Sequence, residues 1–186
     1  MSITMGNIRL LVGLGNPGRE YANTYHNAGA QFIDWLAAGV KFKKQKLFLV
    51  ARLPDGAYVA KPSIFMNESG RAVQAALSYL KITPDELLVA HDDSDIMLGE
   101  CRMSFDRGGA GHNGVQSVIH TLGTQEFYRL RIGIRPPISV NPRSNQRRSA
   151  SRVKAGDFVL KKITPAHKKI LADVFTHAFS KILPNS

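Results

Sequence analysis

Short apolar runs that end in turn residues alternate along this chain with stretches of helical period, and that alternation points to an α/β sandwich built on a mixed sheet. The strands expected from it are Arg9 to Gly13, Leu47 to Leu53, Tyr58 to Lys61, Leu87 to His91, Gly99 to Phe105 and Tyr128 to Ile134. Helices are expected over Asn27 to Ala38, Ser69 to Leu80, Val115 to Leu122 and Pro165 to Leu183. Pro54-Asp55-Gly56 separates the second and third strands, and its Asp-Gly pair supports a hairpin. In the last helix Thr164 is placed to cap, Pro165 suits the first turn, and Leu171, Val174, Phe175, Ala178 and Ile182 share one face. That is the pattern of a helix docked on a core. A chain of 186 residues, 44% of them hydrophobic, fits one domain spanning residues 1–186. Pro136 to Gly156 stands apart: it carries five basic residues and no acidic one, and reads as a flexible basic loop inserted in the domain.

Charge narrows the partners. Lys and Arg number 25 against 14 Asp and Glu, a formal net charge of +11, so polyanions such as RNA, DNA or an anionic surface come first. A membrane is the weaker candidate, because no apolar run approaches the roughly 18 residues that a span requires. The single cysteine, Cys101, cannot form an internal disulfide and suits a reducing compartment. The first fifteen residues lack the charged start and cleavage site of a signal peptide. A cytoplasmic protein is expected, with a mitochondrial address left open. One domain without an obvious apolar patch reads as a monomer with no obligate protein partner.

Four polar clusters sit at the ends of apolar runs. Gly13-Leu-Gly-Asn-Pro-Gly18 matches the letter of a dinucleotide fingerprint, but Pro17 removes a backbone donor and no acidic residue ends a second strand about 20 residues on. Thr24-Tyr-His-Asn-Ala-Gly29 puts His26 at a helix entrance. Leu87 to Asp95 delivers Asp92, Asp93 and Asp95 at the carboxyl end of a buried strand, where open α/β sheets build their sites. A carboxylate there could fix the tautomer of His26, and the three together could instead hold Mg²⁺. The fourth set is the side-chain amides of Asn16, Asn67 and Asn113, residues common in turns but also able to orient a water and stabilise an oxyanion.

Taken in order, GLGNPG-x-x-Y-x-x-T-x-HN-x-G, K-P-x-x-F-M-N-x-S-G, L-V-A-H-D-x-x-D, G-G-x-G-H-N-G and R-L-R-I-G-I resemble the bacterial-type peptidyl-tRNA hydrolases. The likeness runs densely from about Ile8 to Ile134 and resumes at Asp157 to Leu160. It implies hydrolysis of the ester joining a peptide to the terminal ribose of tRNA, which recycles tRNA from abandoned translation, without a cofactor or metal. By position, His26 matches the catalytic histidine, Asp92 the carboxylate that pairs with it, and Asn16, Asn67 and Asn113 the asparagines that hold water and substrate. Tyr21, Phe65, Met66 and His112 match residues near the peptide or the tRNA end. Tyr25 and Asp93 stand where the family usually has Arg and Glu. Of the basic clamp on the tRNA's terminal phosphate, the second half matches Arg131, but the first falls on Ser104, with Arg102 and Arg107 as the nearby substitutes.

The chemistry of the residue types agrees. An imidazole titrating near pH 6.5 can accept a proton from attacking water, a contribution of about 10² to 10⁴ in rate. Period two places Arg129, Arg131 and Arg135 on one face of their strand and Tyr128, Leu130, Ile132 and Ile134 on the other. Like charges there repel unless an anion joins them. Three alternatives remain: a metal-dependent nuclease using Asp92, Asp93 and Asp95, an RNA-binding protein without turnover, and a dinucleotide enzyme.

Overall fold

The computed structural model describes residues 7–136 and 158–182. Seven strands form one sheet: β1 (Leu10–Gly13), β2 (Lys43–Lys44), β3 (Phe48–Arg52), β4 (Tyr58–Pro62), β5 (Leu87–Met97), β6 (Cys101–Phe105) and β7 (Tyr128–Arg135). Their order is β2-β3-β4-β1-β5-β7-β6. The centre, β4-β1-β5-β7, is parallel, and β2, β3 and β6 attach antiparallel at the two edges. This is the mixed sheet expected of the alternation. Helices α1 (Ala28–Leu36) and α4 (Pro165–Ile182) pack on one face, and α2 (Ser69–Leu80) and α3 (Asn113–Leu122) on the other.

Central strands are buried on both sides, which is why Leu10 to Val12 and Leu87 to Ala90 read as unbroken apolar runs. Alternate residues supply the two cores: Leu88, Ala90, Leu130, Ile132 and Ile134 face α1 and α4, while Leu87, Val89 and Val12 face α2 and α3. The face of α4 foreseen from its period is the buried one, with Leu171, Val174, Phe175, Ala178 and Ile182 inside. Thr164 caps it, its hydroxyl accepting the N–H of His167. The hairpin between β3 and β4 closes as expected, with Gly56 in the left-handed region at φ 95°. No helix among the described residues is long and apolar enough to cross a membrane.

Four details differ from expectation. β2 lies inside Lys41 to Lys46, where a solvated charge run hid a two-residue edge strand; lysine is a common edge residue because it discourages further pairing. β5 continues past His91 to Met97, so the three aspartates are part of the strand rather than a turn beyond it. Its pairing with β7 shifts register between Asp93 and Met97, and that irregularity lets polar side chains interrupt a sheet strand. Gly99 is in a turn at φ 101°, outside β6. Asn27 precedes α1, in a single 3-10 turn over Tyr25–Asn27. The basic insertion expected over Pro136 to Gly156 lies, apart from Pro136, outside the described residues, as do Asp157 and Leu183.

Candidate active site

The glycines of the first loop serve close packing. A Cβ on Gly13 would lie 2.2 Å from the carbonyl oxygen of Gly29, and one on Gly29 would lie 2.1 Å from that of Ala90, so β1, α1 and β5 meet backbone to backbone. The loop's N–H groups are engaged internally: Leu14 donates to the Ala90 carbonyl at 2.9 Å, and Asn16 donates to Oδ1 of Asn27 at 2.9 Å. Asn27 returns a bond from Nδ2 to the Asn16 carbonyl. A pyrophosphate cradle needs such donors free, so the engagement of Leu14 and Asn16 argues against the dinucleotide reading.

This packing sets the 3-10 turn that carries His26 against the end of β5. The backbone N–H of His26 donates to the Val159 carbonyl at 2.8 Å, so the segment just before α4 braces the turn from behind. Tyr25, beside it, is buried, stacks on Phe158 with ring centroids 4.4 Å apart, and is hydrogen-bonded to Nδ1 of His167. Burial raises the Tyr25 phenol above its ordinary range. The aromatic at the position where arginine is usual is therefore a structural bolt between the His26 turn and α4.

His26 Nδ1 lies 2.9 Å from Oδ1 of Asp92, and Nε2 of His112 lies 2.9 Å from the same oxygen. The network assigns the tautomers. Nδ1 of His112 accepts the N–H of Val115 at 3.3 Å, capping α3, so its proton is on Nε2 and is donated to Asp92. An ionised Asp92 accepts from both rings, which puts the His26 proton on Nδ1 and leaves Nε2 with an open lone pair. Burial alone would raise the Asp92 carboxyl; the electrostatic attraction and hydrogen bond of His112, then those of His26, outweigh it and hold Asp92 well below the ordinary carboxylate range. His91, one residue earlier, is buried, donates from Nδ1 to the Asp92 carbonyl at 2.7 Å, and is kept neutral by burial and by the neighbouring His112.

The three aspartates do not converge. Successive strand residues point to opposite faces. Asp92 engages the two histidines, while Asp93 accepts Nε of Arg131 at 2.8 Å through Oδ2 and the backbone N–H of Asp95 through Oδ1. The group that does offer metal-type donors among the described residues is His26, Asp92 and His112, with ligand atoms within 4.8 Å of one another. Both nitrogens lie 2.9 Å from one oxygen of the buried Asp92 carboxylate, the separation of two hydrogen bonds.

A cavity of about 230 Å³ opens over this cluster, lined by His26, Asp92, Gly111, His112, Asn113 and Arg129 among others. Asn16 stands nearby in sequence but is tied differently: its Oδ1 accepts the Met66 N–H at 2.8 Å, joining the first loop to the Phe65 loop. Asn67 and Phe65 are exposed, and Phe65 meets Tyr21 edge to face at 6.3 Å. Met66 departs from its expected role as an open pocket residue. It is 4% exposed and packs in the α2/α3 core beneath Gly114, so it supports the site from below. Arg131 is paired with Asp93, the exposed Arg102 lies 3.5 Å from Glu100, and Arg107 is exposed on the glycine-rich loop. Sequence reasoning missed Asn27, Phe158, Val159, His91 and the burial of Arg129; for Arg129 the two-residue period was the available signal.

Residues 10–184 match the sequence profile of the family described as peptidyl-tRNA hydrolase. A peptidyl-tRNA hydrolase of Neisseria meningitidis is 49% identical over 137 residues, covering 70% of this chain and 71% of the relative. One of Coxiella burnetii is 46% identical over 136 residues, covering 71% of this chain and 72% of the relative. The crystal structure of peptidyl-tRNA hydrolase from Acinetobacter baumannii superposes with a TM-score of 0.79 at 34% identity, over 96% of this chain and 88% of that one. The chain belongs to the peptidyl-tRNA hydrolase family of ester-hydrolysing enzymes.

Proposed function

We propose that the protein cleaves the ester between the peptide and the terminal ribose of peptidyl-tRNA, with Nε2 of His26 taking a proton from the attacking water. The observation that carries this reading is the Asp92 carboxylate, 2.9 Å from Nδ1 of His26, in a cavity able to admit water and an ester. Water adds to the ester carbonyl as His26 accepts its proton. The resulting imidazolium is stabilised by Asp92, and the proton passes to the departing ribose oxygen, leaving a tRNA with a free terminal hydroxyl and a peptide carboxylic acid that releases its own proton to solvent.

Neutral amides suit the remaining task of stabilising an oxyanion without adding charge beside the base. Asn113 lines the cavity, and among the described residues the Nδ2 groups of Asn16, Asn67 and Asn113 donate no hydrogen bond within the protein. His112 has both ring nitrogens engaged, which makes it a positioning residue for Asp92 rather than a second base. Phe65 and Tyr21 offer an exposed aromatic face for the peptide or an unpaired terminal base; stacking of that kind contributes about 1–3 kcal/mol per base. Arg102, Arg107 and Arg131 supply positive charge for the tRNA backbone. The chemistry needs no metal, and a monomer acting in the compartment of translation suffices.

The test is release of peptide from a defined peptidyl-tRNA, with and without EDTA. Equal turnover in both is expected. Loss of activity in EDTA, restored by a divalent cation, would return the acidic residues to a metal-dependent role, and no turnover under any condition would leave only an RNA-binding protein.

A further inference from the structure

β5 loses a neighbour halfway along its length. Its pairing with β1 runs from Leu87 to Ala90 and stops opposite Gly13, while β7 continues beside it to Asp93 before the register shifts. The last backbone bond on the β1 side goes from the Leu14 N–H to the Ala90 carbonyl, at 2.9 Å. Carbonyls two residues apart on a strand point to the same edge. The Asp92 carbonyl therefore faces the side on which β1 has ended, where no strand among the described residues offers it an N–H. A buried carbonyl left unpaired is destabilising. The gap falls on the residue whose carboxylate lies 2.9 Å from both His26 and His112.

His91 closes that gap from the preceding position. Its Nδ1 lies 2.7 Å from the Asp92 carbonyl oxygen, and because a carbonyl only accepts, the proton is on Nδ1. The ring is 2% exposed and meets His112 edge to face, with centroids 4.8 Å apart. Its other nitrogen, Nε2, is buried without a hydrogen-bond partner. An apolar side chain of like size would fill the same space without that unmet acceptor. What the imidazole adds is the Nδ1–H on the Asp92 peptide, and through the His112 contact it also borders the second ring bonded to the carboxylate.

We propose that His91 is a positioning residue for the reaction: it takes the place of the missing strand neighbour, fixes the peptide of Asp92, and so holds the carboxylate that orients His26. The assignment rests on the reading of His26 as the base. Without the bond from Nδ1 the Asp92 peptide can turn, the carboxylate moves with it, and Nε2 of His26 is re-aimed relative to the water. Misplacement of that kind acts on the chemical step and leaves substrate binding alone.

The test is steady-state hydrolysis of one peptidyl-tRNA by wild type, His91→Asn and His91→Leu, with melting temperatures measured alongside. The amide of asparagine puts an N–H close to where Nδ1 stands, whereas leucine matches the bulk of the ring and has no donor. His91→Leu is expected to lower kcat about 10- to 100-fold with KM within about twofold of wild type, and His91→Asn to stay within about threefold in both. A space-filling role predicts the reverse order, because asparagine leaves the larger void. In an Asp92→Asn background His91→Leu should lower kcat no further, since its effect runs through that residue. The proposal is overturned by a kcat for His91→Leu close to wild type, by a lower kcat for His91→Asn than for His91→Leu, by a loss that adds in full to that of Asp92→Asn, or by a raised KM at unchanged kcat. Should His91→Leu melt early, His91→Phe, which keeps a ring against His112 and has no donor, carries the same prediction. A wild type without turnover removes the functional reading and this role with it, whereas a large loss in His26→Ala beside an unaffected His91→Leu removes the role alone.

Discussion

On one side of the cavity the polar groups of His26, Asp92 and His112 are joined in a chain that ends in the backbone of α3; on the other, Arg129 and Ser104 are buried and make no side-chain hydrogen bond among the described residues. The contrast teaches what each side is for. A paired network fixes tautomer, charge and orientation before any substrate arrives, which is what a general base requires. Arg129 and Ser104 are held by no such network among the described residues. The paired side of the cleft is the one ordered in advance, by completed hydrogen bonds.

Substitutions can break that contrast, and they rank by size. His26→Ala should lower kcat by about 10² to 10⁴ while tRNA affinity changes little, a separation that only a group acting in the reaction produces. Asp92→Asn should cost on the order of 10² or more in kcat, because an amide can hold the ring in the wrong tautomer. The same variant tests the acid side. The Asp92 carboxyl is held below its ordinary range in the folded protein, so its contribution to stability is complete above about pH 4 and is lost as pH falls through the folded value. The gap in melting temperature between wild type and Asp92→Asn should accordingly narrow on acidification; a gap that widens would mean the pairing is not stabilising.

Gly29→Ala should destabilise the fold by about 2–4 kcal/mol in denaturant titration, since its Cβ would lie 2.1 Å from the Ala90 carbonyl oxygen and β5 cannot retreat. Near-wild-type stability would show that the junction of β1, α1 and β5 is looser than drawn. The smallest effect is expected of His112→Asn. Asparagine can still cap α3, so stability should fall by under about 1 kcal/mol, and kcat by less than tenfold, as one of two bonds to Asp92 is lost. A loss as large as that of His26→Ala would make His112 a participant in proton transfer and blur the division between the two rings.

Much of this was legible in the sequence because it rests on local pattern. The sheet's central strands were visible as two-sided apolar runs, and the buried face of α4 followed from its period alone. His26 and Asp92 were singled out by their motifs, and they lie in the turn before α1 and within β5. What escaped detection depends on tertiary contact. No local signal marks β2, because two lysines at an edge look like any solvated run. Tyr25 gives no hint that it bolts a turn to a helix 142 residues away in sequence. The alternation of β7 put Arg129 and Arg131 on one face, but only the fold shows that Asp93 engages Arg131 and that Arg129 is buried.

The central claim is that Nε2 of His26 activates the water, and single-turnover cleavage of peptidyl-tRNA by excess enzyme tests it most directly, with tRNA binding measured in parallel. For His26→Ala the predicted result is a cleavage rate lowered by at least about 10² at near-wild-type affinity. A rate close to wild type at full binding would contradict it.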